Sequence, residues 1–567
     1  MISLEHPERH LFHVRMTVPD VSGEVLVQMP AWNALYQIRD FSNHVQRVEA
    51  HAGAGDAPIE KIDKQTWRIR GNGNVSIDYA TYWDEAGPFA AQLNSEHAFI
   101  NTAMILMYVS GRTRDAATLT LADVPDNWRV ASAATFACSA ASGKPACSGE
   151  KTSYDAMVDA PIEVGNFKQF TVPGVPANIS VVVHGDSWSQ KKIEDELSKI
   201  CTYEINMMGG APFEHYTFIF HIGKGAGGGG MEHANSTAIG LPSDDYLANV
   251  AAHEFFHLWN VKRIRPATLE PVDFTKEQYT RALWFAEGVT STYGAYTLVR
   301  SGIWNRERFY ADLGDQISEL ESRPADHWQS AEQSSLDAWL EKYPLYNGRD
   351  YSVSYYTKGQ VLGEVLDLLI RDRTNNAKSF DDVLRGLNTD FANQGKFYRD
   401  SLDIRLEAEK VAGGSFEEFF RDYVAEARPL PYSQILSLAG LELRNREGKA
   451  ATLGFSLGRD ANGGTSIRAL DDGSPAADAG LRVGDVILSW NGADVPRSLG
   501  RWVRDRRAGE AVKVRIRRDD KELTVEFKLG ESTETIFQIV EDGSAGEKAK
   551  RIREGWLRGV TQASVAH

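Results

Sequence analysis

Cysteine is scarce in this chain, no long apolar run occurs, and there is no surplus of positive charge; each absence removes a class of protein. Three cysteines in 567 residues make no thiolate metal cluster. Cys138 and Cys147 bracket a loop containing Gly, Ser and Pro, and the sequence leaves two readings open: a disulfide in an oxidising compartment, or two free thiols. The longest apolar stretch, around Ala98 to Val109, falls well short of the ~20 residues of a membrane-spanning helix. The first residues, MISLEHPERHLF, lack a basic segment followed by an apolar core. No signal peptide is therefore expected, and the compartment stays open between cytoplasm and an exported protein whose leader was removed. The formal net charge of −16 argues against nucleic acid or an anionic membrane as partner, since both demand a basic face. A basic cluster at Arg501 to Arg507 is short and reads as a solvated helix face.

What is present describes a soluble globular chain with 42% apolar residues, long enough for three or four domains. Its organising stretch runs from Ala251 to Arg265 and contains His253, Glu254 and His257 as H-E-x-x-H. Positions i and i+4 of a helix share a face, so both imidazoles can converge on one metal ion. Glu254 lies beside them, where a carboxylate can take a proton from the attacking water. Ser243 and the aspartates after it supply a helix N-terminus, and Leu247 to Trp259 has no Gly or Pro. The bland alternative is a buried helix that carries two satisfied histidines.

A hydrolytic zinc site uses three protein ligands and keeps one position open. A second helix is expected over Lys276–Val299, with Glu287 inside the apolar stretch Leu283 to Gly288. A buried carboxylate needs a partner, which makes Glu287 the candidate third ligand. With these residues the chain resembles the gluzincin metallopeptidases, and most closely the M61 glycyl aminopeptidases, through HEFFHLWNVKRIRP at 253–266 and WFAEGVTSTY at 284–293. Two further segments are similar to the leukotriene hydrolase and alanyl aminopeptidase group. Gly229-Gly230-Met231-Glu232-His233 resembles the exopeptidase motif G-x-M-E-N, with His233 where Asn is usual, and Tyr356-Thr357-Lys358-Gly359 resembles the Y-x-K-G segment. The second resemblance implies that Tyr356 stabilises the transition state; Tyr351 and Tyr355 nearby read as packing.

The resemblance implies a multidomain α+β architecture with a thermolysin-like catalytic domain. Short alternating runs such as Phe12 to Val18 place an antiparallel β domain over 1–175. An α/β catalytic half follows over 176–300, with strands Val181–His184 and Tyr216–Ile222, a helix over Trp188–Leu197, and an edge strand Met231–Ile239 after the glycine-rich loop Gly225 to Gly230. That loop lacks the Lys-Ser/Thr pair of a phosphate-binding loop, so its glycines are read as room for a substrate backbone. A helical part is expected over 301–436, with helices Arg306–Glu321, Gly359–Asp372, Phe380–Leu387 and Ser415–Val424, and a linker at Pro429 to Leu436. Residues 437–530 resemble a PDZ domain of bacterial proteases, with Leu453, Gly454 and Phe455 as the loop that holds a peptide carboxylate. The tail, 531–567, carries a helix over Gly546–Leu557 that is expected to pack on the body.

The expected activity is that of a zinc aminopeptidase with one zinc ion per chain, held by His253, His257 and Glu287. Glu254 is the expected general base, and Tyr356 with the metal stabilises the oxyanion. Glu232, with Gly229, Gly230 and Met231, is expected to receive the free amine of a peptide, and the family resemblance implies N-terminal Gly or Ala. Expected partners are peptides with a free N-terminus and peptide C-termini at the PDZ groove. The alternatives are a PDZ-guided zinc endopeptidase and a catalytically silent peptide-binding protein. Lys262, Arg263 and Arg265 are read either as substrate contacts or as structural ion pairs.

Overall fold

The structure, a computed structural model, describes residues 1–33, 36–139, 145–341, 352–459, 464–496, 499–519 and 521–561. Tyr351 lies outside them. The architecture is α+β, as expected, and divides into two compact units. One comprises Met1–Gln316, Arg323–Glu442 and Glu541–His567, the other Ile317–Ser322 and Leu443–Val540.

The first unit begins with β-structure because apolar residues alternate with polar ones. In Leu11–Val21, Phe12, Val14 and Val18 are buried while His13, Arg15 and Thr17 point outward or sit at the margin. This strand belongs to an eight-stranded sheet, beside two four-stranded sheets and a two-stranded one. Cys138 and Cys147 are cross-strand partners and are disulfide-bonded.

A five-stranded sheet then carries the catalytic half. Lys168–Thr171 pairs antiparallel with Ile179–Gly185, which runs parallel to Tyr216–Ile222, itself parallel to Ser236–Leu241. At the far edge Gly229–Glu232 pairs antiparallel with Ser236–Leu241. The single edge strand expected over Met231–Ile239 is thus a hairpin, because His233 to Asn235 turn the chain back. The helix after Ile179–Gly185 runs over Gln190–Met208, longer than expected.

Downstream helices occupy Arg306–Glu321, Tyr355–Arg373, Phe380–Asp390 and Asp400–Ala412. Tyr355 and Tyr356 open the second of these, capped by the Ser354 hydroxyl on the Thr357 amide, instead of lying in the loop before it. The expected helix Lys276–Val299 starts late: its first part is held as a loop, with the Gln278 amide donating to the carbonyls of Thr268 and Pro271. The segment expected as one helix over Ser415–Val424 is a short α-turn, Glu417–Phe419, followed by a π-helical stretch, Phe420–Ala425. The expected linker is itself partly helical over Tyr432–Ser437, because Tyr432, Ile435 and Leu436 bury together.

The chain leaves this unit along Leu441–Thr452 and returns along Gly530–Glu541, two strands that pair. The tail helix Glu547–Arg558 then docks on the first unit. Trp556 is buried and its indole N–H donates to the Tyr296 hydroxyl at 2.6 Å. Arg300 and Arg371, whose side chains are fully buried, donate to the carbonyls of Trp556 and Val560. Taken by itself, the second unit is a five-stranded sheet around Phe455, Ile467, Trp490, Val514 and Phe527.

Candidate active site

The Ser243 hydroxyl caps a 3-10 turn, Asp244–Tyr246, that leads into the helix Leu247–Phe256, and His257 closes it. His253 and His257 therefore stand one turn apart on a helix whose other face packs Phe255 and Phe256 into the core. Their tautomers are set from behind. His257 Nδ1 donates to the Asn260 carbonyl at 2.8 Å. His253 Nδ1 lies 3.2 Å from the Ser291 hydroxyl, whose own proton goes to the Glu287 carbonyl. Both Nε2 atoms are thus left with lone pairs, and they face each other at 3.0 Å. Glu287 Oε2 completes the set at 3.5 and 3.3 Å. Acceptors this close repel unless a proton or a metal ion lies between them. Burial lowers His253 and would lower His257 too, but Glu287 beside it pushes His257 up to about 10 and is itself held far below the usual range. Two imidazoles and a carboxylate with lone pairs converging suit zinc, and outer partners on each ring complete the requirement.

Glu287 sits in a π-helical turn, Trp284–Val289, ahead of the α-helix Thr290–Arg300. This turn crosses the Tyr355–Arg373 helix at two glycines. A Cβ on Gly288 would lie 2.4 Å from the Gly359 Cα, and one on Gly359 would lie 2.0 Å from the Trp284 carbonyl oxygen. The contact brings Tyr356 to the site, its ring 6.1 Å from that of His253. Desolvation, with Glu287 and other acidic groups nearby, pushes the Tyr356 phenol well above its ordinary value, so it remains a hydrogen-bond donor. Lys358 in the same segment is structural: its buried ammonium donates to Asp326 Oδ1 at 2.8 Å and to the Gln329 carbonyl.

The edge hairpin forms the opposite wall. Carboxylate oxygens of Glu232 and Glu254 and a His257 nitrogen lie within 4.8 Å of one another. Gly230 makes room for Glu254, since a Cβ there would fall 2.4 Å from the Glu254 side chain. Gly229 has φ +94°, where L side chains are strained. Met231 is buried. His233 faces Asp159, 3.2 Å away, a carboxylate that also accepts from Lys262 at 2.7 Å and from the Ala234 amide. Asp159 explains why a histidine fits here and was not visible to sequence reasoning. Each of the basic trio has a partner within the chain: Lys262 pairs with Asp159, Arg263 donates to the carbonyls of Leu258 and Pro212, and Arg265 pairs with Glu270 at 2.5 Å. Asn260, also missed, ties the motif to the Glu287 element through the Phe285 carbonyl and the Thr290 hydroxyl. A cavity of about 270 Å³ adjoins Glu232, walled by Trp32, Tyr36 and Phe274.

In the second unit, Leu453, Gly454 and Phe455 lead into the strand Phe455–Arg459. Gly454 has φ +71°, and its carbonyl accepts from the Asp471 amide at 2.8 Å.

Fold and site together define a zinc metalloaminopeptidase, a hydrolase acting on peptide bonds. Residues 246–362 match M61 glycyl aminopeptidase, 1–166 match the peptidase M61 N-terminal domain, and 440–529 match a PDZ domain. The chain belongs to the M61 glycyl aminopeptidase family. Among solved structures it is similar to an aminopeptidase N family protein from Idiomarina loihiensis, at 26% identity and TM-score 0.81, over 98% of this chain and 99% of that one. An M1 zinc metallopeptidase from Deinococcus radiodurans gives 16% identity and TM-score 0.48 over 75% and 92%. Serine protease Do-like HtrA of Bacillus subtilis is 34% identical over 109 residues, 18% of this chain, and the match spans 23% of that relative's length.

Proposed function

We propose that this chain removes N-terminal residues from peptides, with one catalytic zinc ion held by His253, His257 and Glu287. The convergence of two imidazole Nε2 atoms and a carboxylate oxygen, 3.0 to 3.5 Å apart, is the observation that carries the reading. A zinc ion there supplies Lewis acidity, which polarises a carbonyl and acidifies water. Glu254 takes the proton of the attacking water and passes it to the nitrogen of the leaving amine as the C–N bond breaks. Tyr356 donates its phenolic hydrogen to the oxyanion of the tetrahedral intermediate. Glu232, with Gly229, Gly230 and Met231 along the edge strand, receives the substrate ammonium, because a desolvated amine needs a fixed negative partner. A preference for N-terminal Gly or Ala follows from the family resemblance.

The test uses matched peptides with free and acetylated N-termini. Free peptides should be cleaved and acetylated ones should be poor substrates. Glu232→Ala should cost roughly 2–4 kcal/mol in kcat/KM on free peptides and leave the acetylated ones no worse. Equal cleavage of both peptides by the parent replaces the aminopeptidase reading with PDZ-guided endopeptidase activity, and cleavage of neither leaves a silent peptide-binding fold. For Leu453, Gly454 and Phe455 the proposal is capture of a peptide C-terminus by backbone amides, which binding of a labelled carboxy-terminal peptide, against its amidated form, would test.

A further inference from the structure

We propose that His97, Glu163 and His221 form a second divalent metal site, closed and structural, that fastens the N-terminal β-structure to the catalytic sheet. His97 lies on the strand His97–Ile100 and Glu163 on its antiparallel partner Ile162–Gly165. His221 and His184 lie on the neighbouring parallel strands Tyr216–Ile222 and Ile179–Gly185, where they are register partners. No sequence motif links the four. The folding of two sheets against each other brings them together.

The hydrogen bonding leaves a gap that a cation fills. The Gln92 side-chain nitrogen donates to Asp84 Oδ1 at 2.9 Å, so its carbonyl oxygen is the atom facing His97 Nε2 at 3.2 Å. That places the His97 proton on Nε2 and leaves the Nδ1 lone pair pointing at Glu163 Oε1, 2.9 Å away. Two acceptors at this distance repel unless a proton or a metal lies between them. His221 Nε2 approaches the other oxygen, Oε2, also at 2.9 Å, and the His97 and His221 rings stand at 89°. The three ligand atoms lie within 4.8 Å of one another.

A proton on His97 would answer that contact alone. His184 Nδ1 is buried with no hydrogen-bond partner among the described residues, 3.8 Å from Glu163 Oε1, and is available as a further donor. Its ring is stacked on His97 with centroids 3.9 Å apart. Imidazole and carboxylate donors without thiolate suit zinc or a neighbouring first-row divalent ion. The Glu163 side chain is fully buried, those of His97 and His221 are 5% and 8% exposed, and that of His184 is 20% exposed, so the ligand atoms are largely shielded from substrate. Such closure marks a structural site and not a catalytic one.

Metal counting separates this site from the catalytic one. The full-length protein, stripped with a chelator and titrated with Zn2+, should take up two equivalents. The double variant His253→Ala/His257→Ala, in which the proposed clamp is untouched, should keep one, and Co2+ in that variant should give the d–d absorption of a nitrogen- and oxygen-ligated ion. His221→Gln in the parent should lose one equivalent. A folded double variant that binds none overturns the proposal and leaves His97 as an imidazolium on Glu163. So does an unchanged count in His221→Gln. A parent whose single equivalent survives in the double variant sinks the catalytic ligand assignment and keeps this site.

Discussion

Two clusters in the first unit share a formula, two histidines and a glutamate, and differ in almost everything around it. His253, His257 and Glu287 stand on helices at a cleft, with Glu254, Glu232 and Tyr356 around them. His97, Glu163 and His221 stand on strands, sealed from solvent, with a stacked imidazole as nearest neighbour. Ligand chemistry sets what can be bound. Catalysis needs more: an opening, a base beside it, and donors for the charge that develops. The second cluster lies buried between strands, which suits holding an ion rather than turning over a substrate.

The comparison breaks first at Glu254. Glu254→Gln keeps the ligands and removes the base, so metal content should be unchanged while turnover falls roughly 10²–10⁴-fold. Metal analysis and peptide hydrolysis on one preparation decide it, and full activity would remove Glu254 from its role. On the proposed role of its phenol in the transition state, Tyr356→Phe should lower kcat about 100-fold with KM little changed. A loss in Tyr355→Phe instead would move the role one residue. Gly359→Ala pushes a methyl against the Trp284 carbonyl and should cost roughly 1–3 kcal/mol of stability. Because it spreads the crossing that joins Glu287 to Tyr356, activity should fall while the His97 cluster keeps its ion.

An effect on stability alone is expected at Asp159. Burial raises its carboxyl, but Lys262 and His233 pull it well below the usual carboxylate range. A group depressed in the folded state stabilises above its unfolded pKa and loses that contribution as pH falls through the folded value. Asp159→Asn should therefore lose about 1–3 kcal/mol near neutral pH, and the gap from the parent in urea unfolding should close as pH drops below about 4. A gap constant down to pH 2 would count against the ion pair.

Sequence legibility follows the distance between interacting residues. The histidine pair was readable because i and i+4 is a local relation, and Glu287 because a carboxylate in an apolar run demands a partner. Tyr356 was readable through family resemblance alone, and its place in a first helical turn was not. The Gly288–Gly359 crossing joins residues far apart in the chain, and either glycine alone reads as a helix weakness. Asp159 reaches Lys262 across 103 residues, and the His97 cluster draws on four strands, whose pairing no local pattern announces. Lys276 to Leu283 read as helix because the pattern could not show that Gln278 is bonded backward to the preceding loop.

The path of the chain through the PDZ residues also bears on the order in which the protein is made. On the ribosome the strand Leu441–Thr452 and the domain after it emerge before the helix Glu547–Arg558. Until that helix appears, Arg300 and Arg371 lack the carbonyls of Trp556 and Val560, and the Tyr296 hydroxyl lacks its indole. Arg300 and Tyr296 lie on the helix that continues directly from Glu287. A nascent chain therefore carries the proposed metal ligands long before this support behind them is in place, and cutting the chain at Leu436 removes that support together with the PDZ domain. A version in which residues 443–540 are replaced by a short loop, keeping Glu547–Arg558, is the shortened form that keeps the buttress.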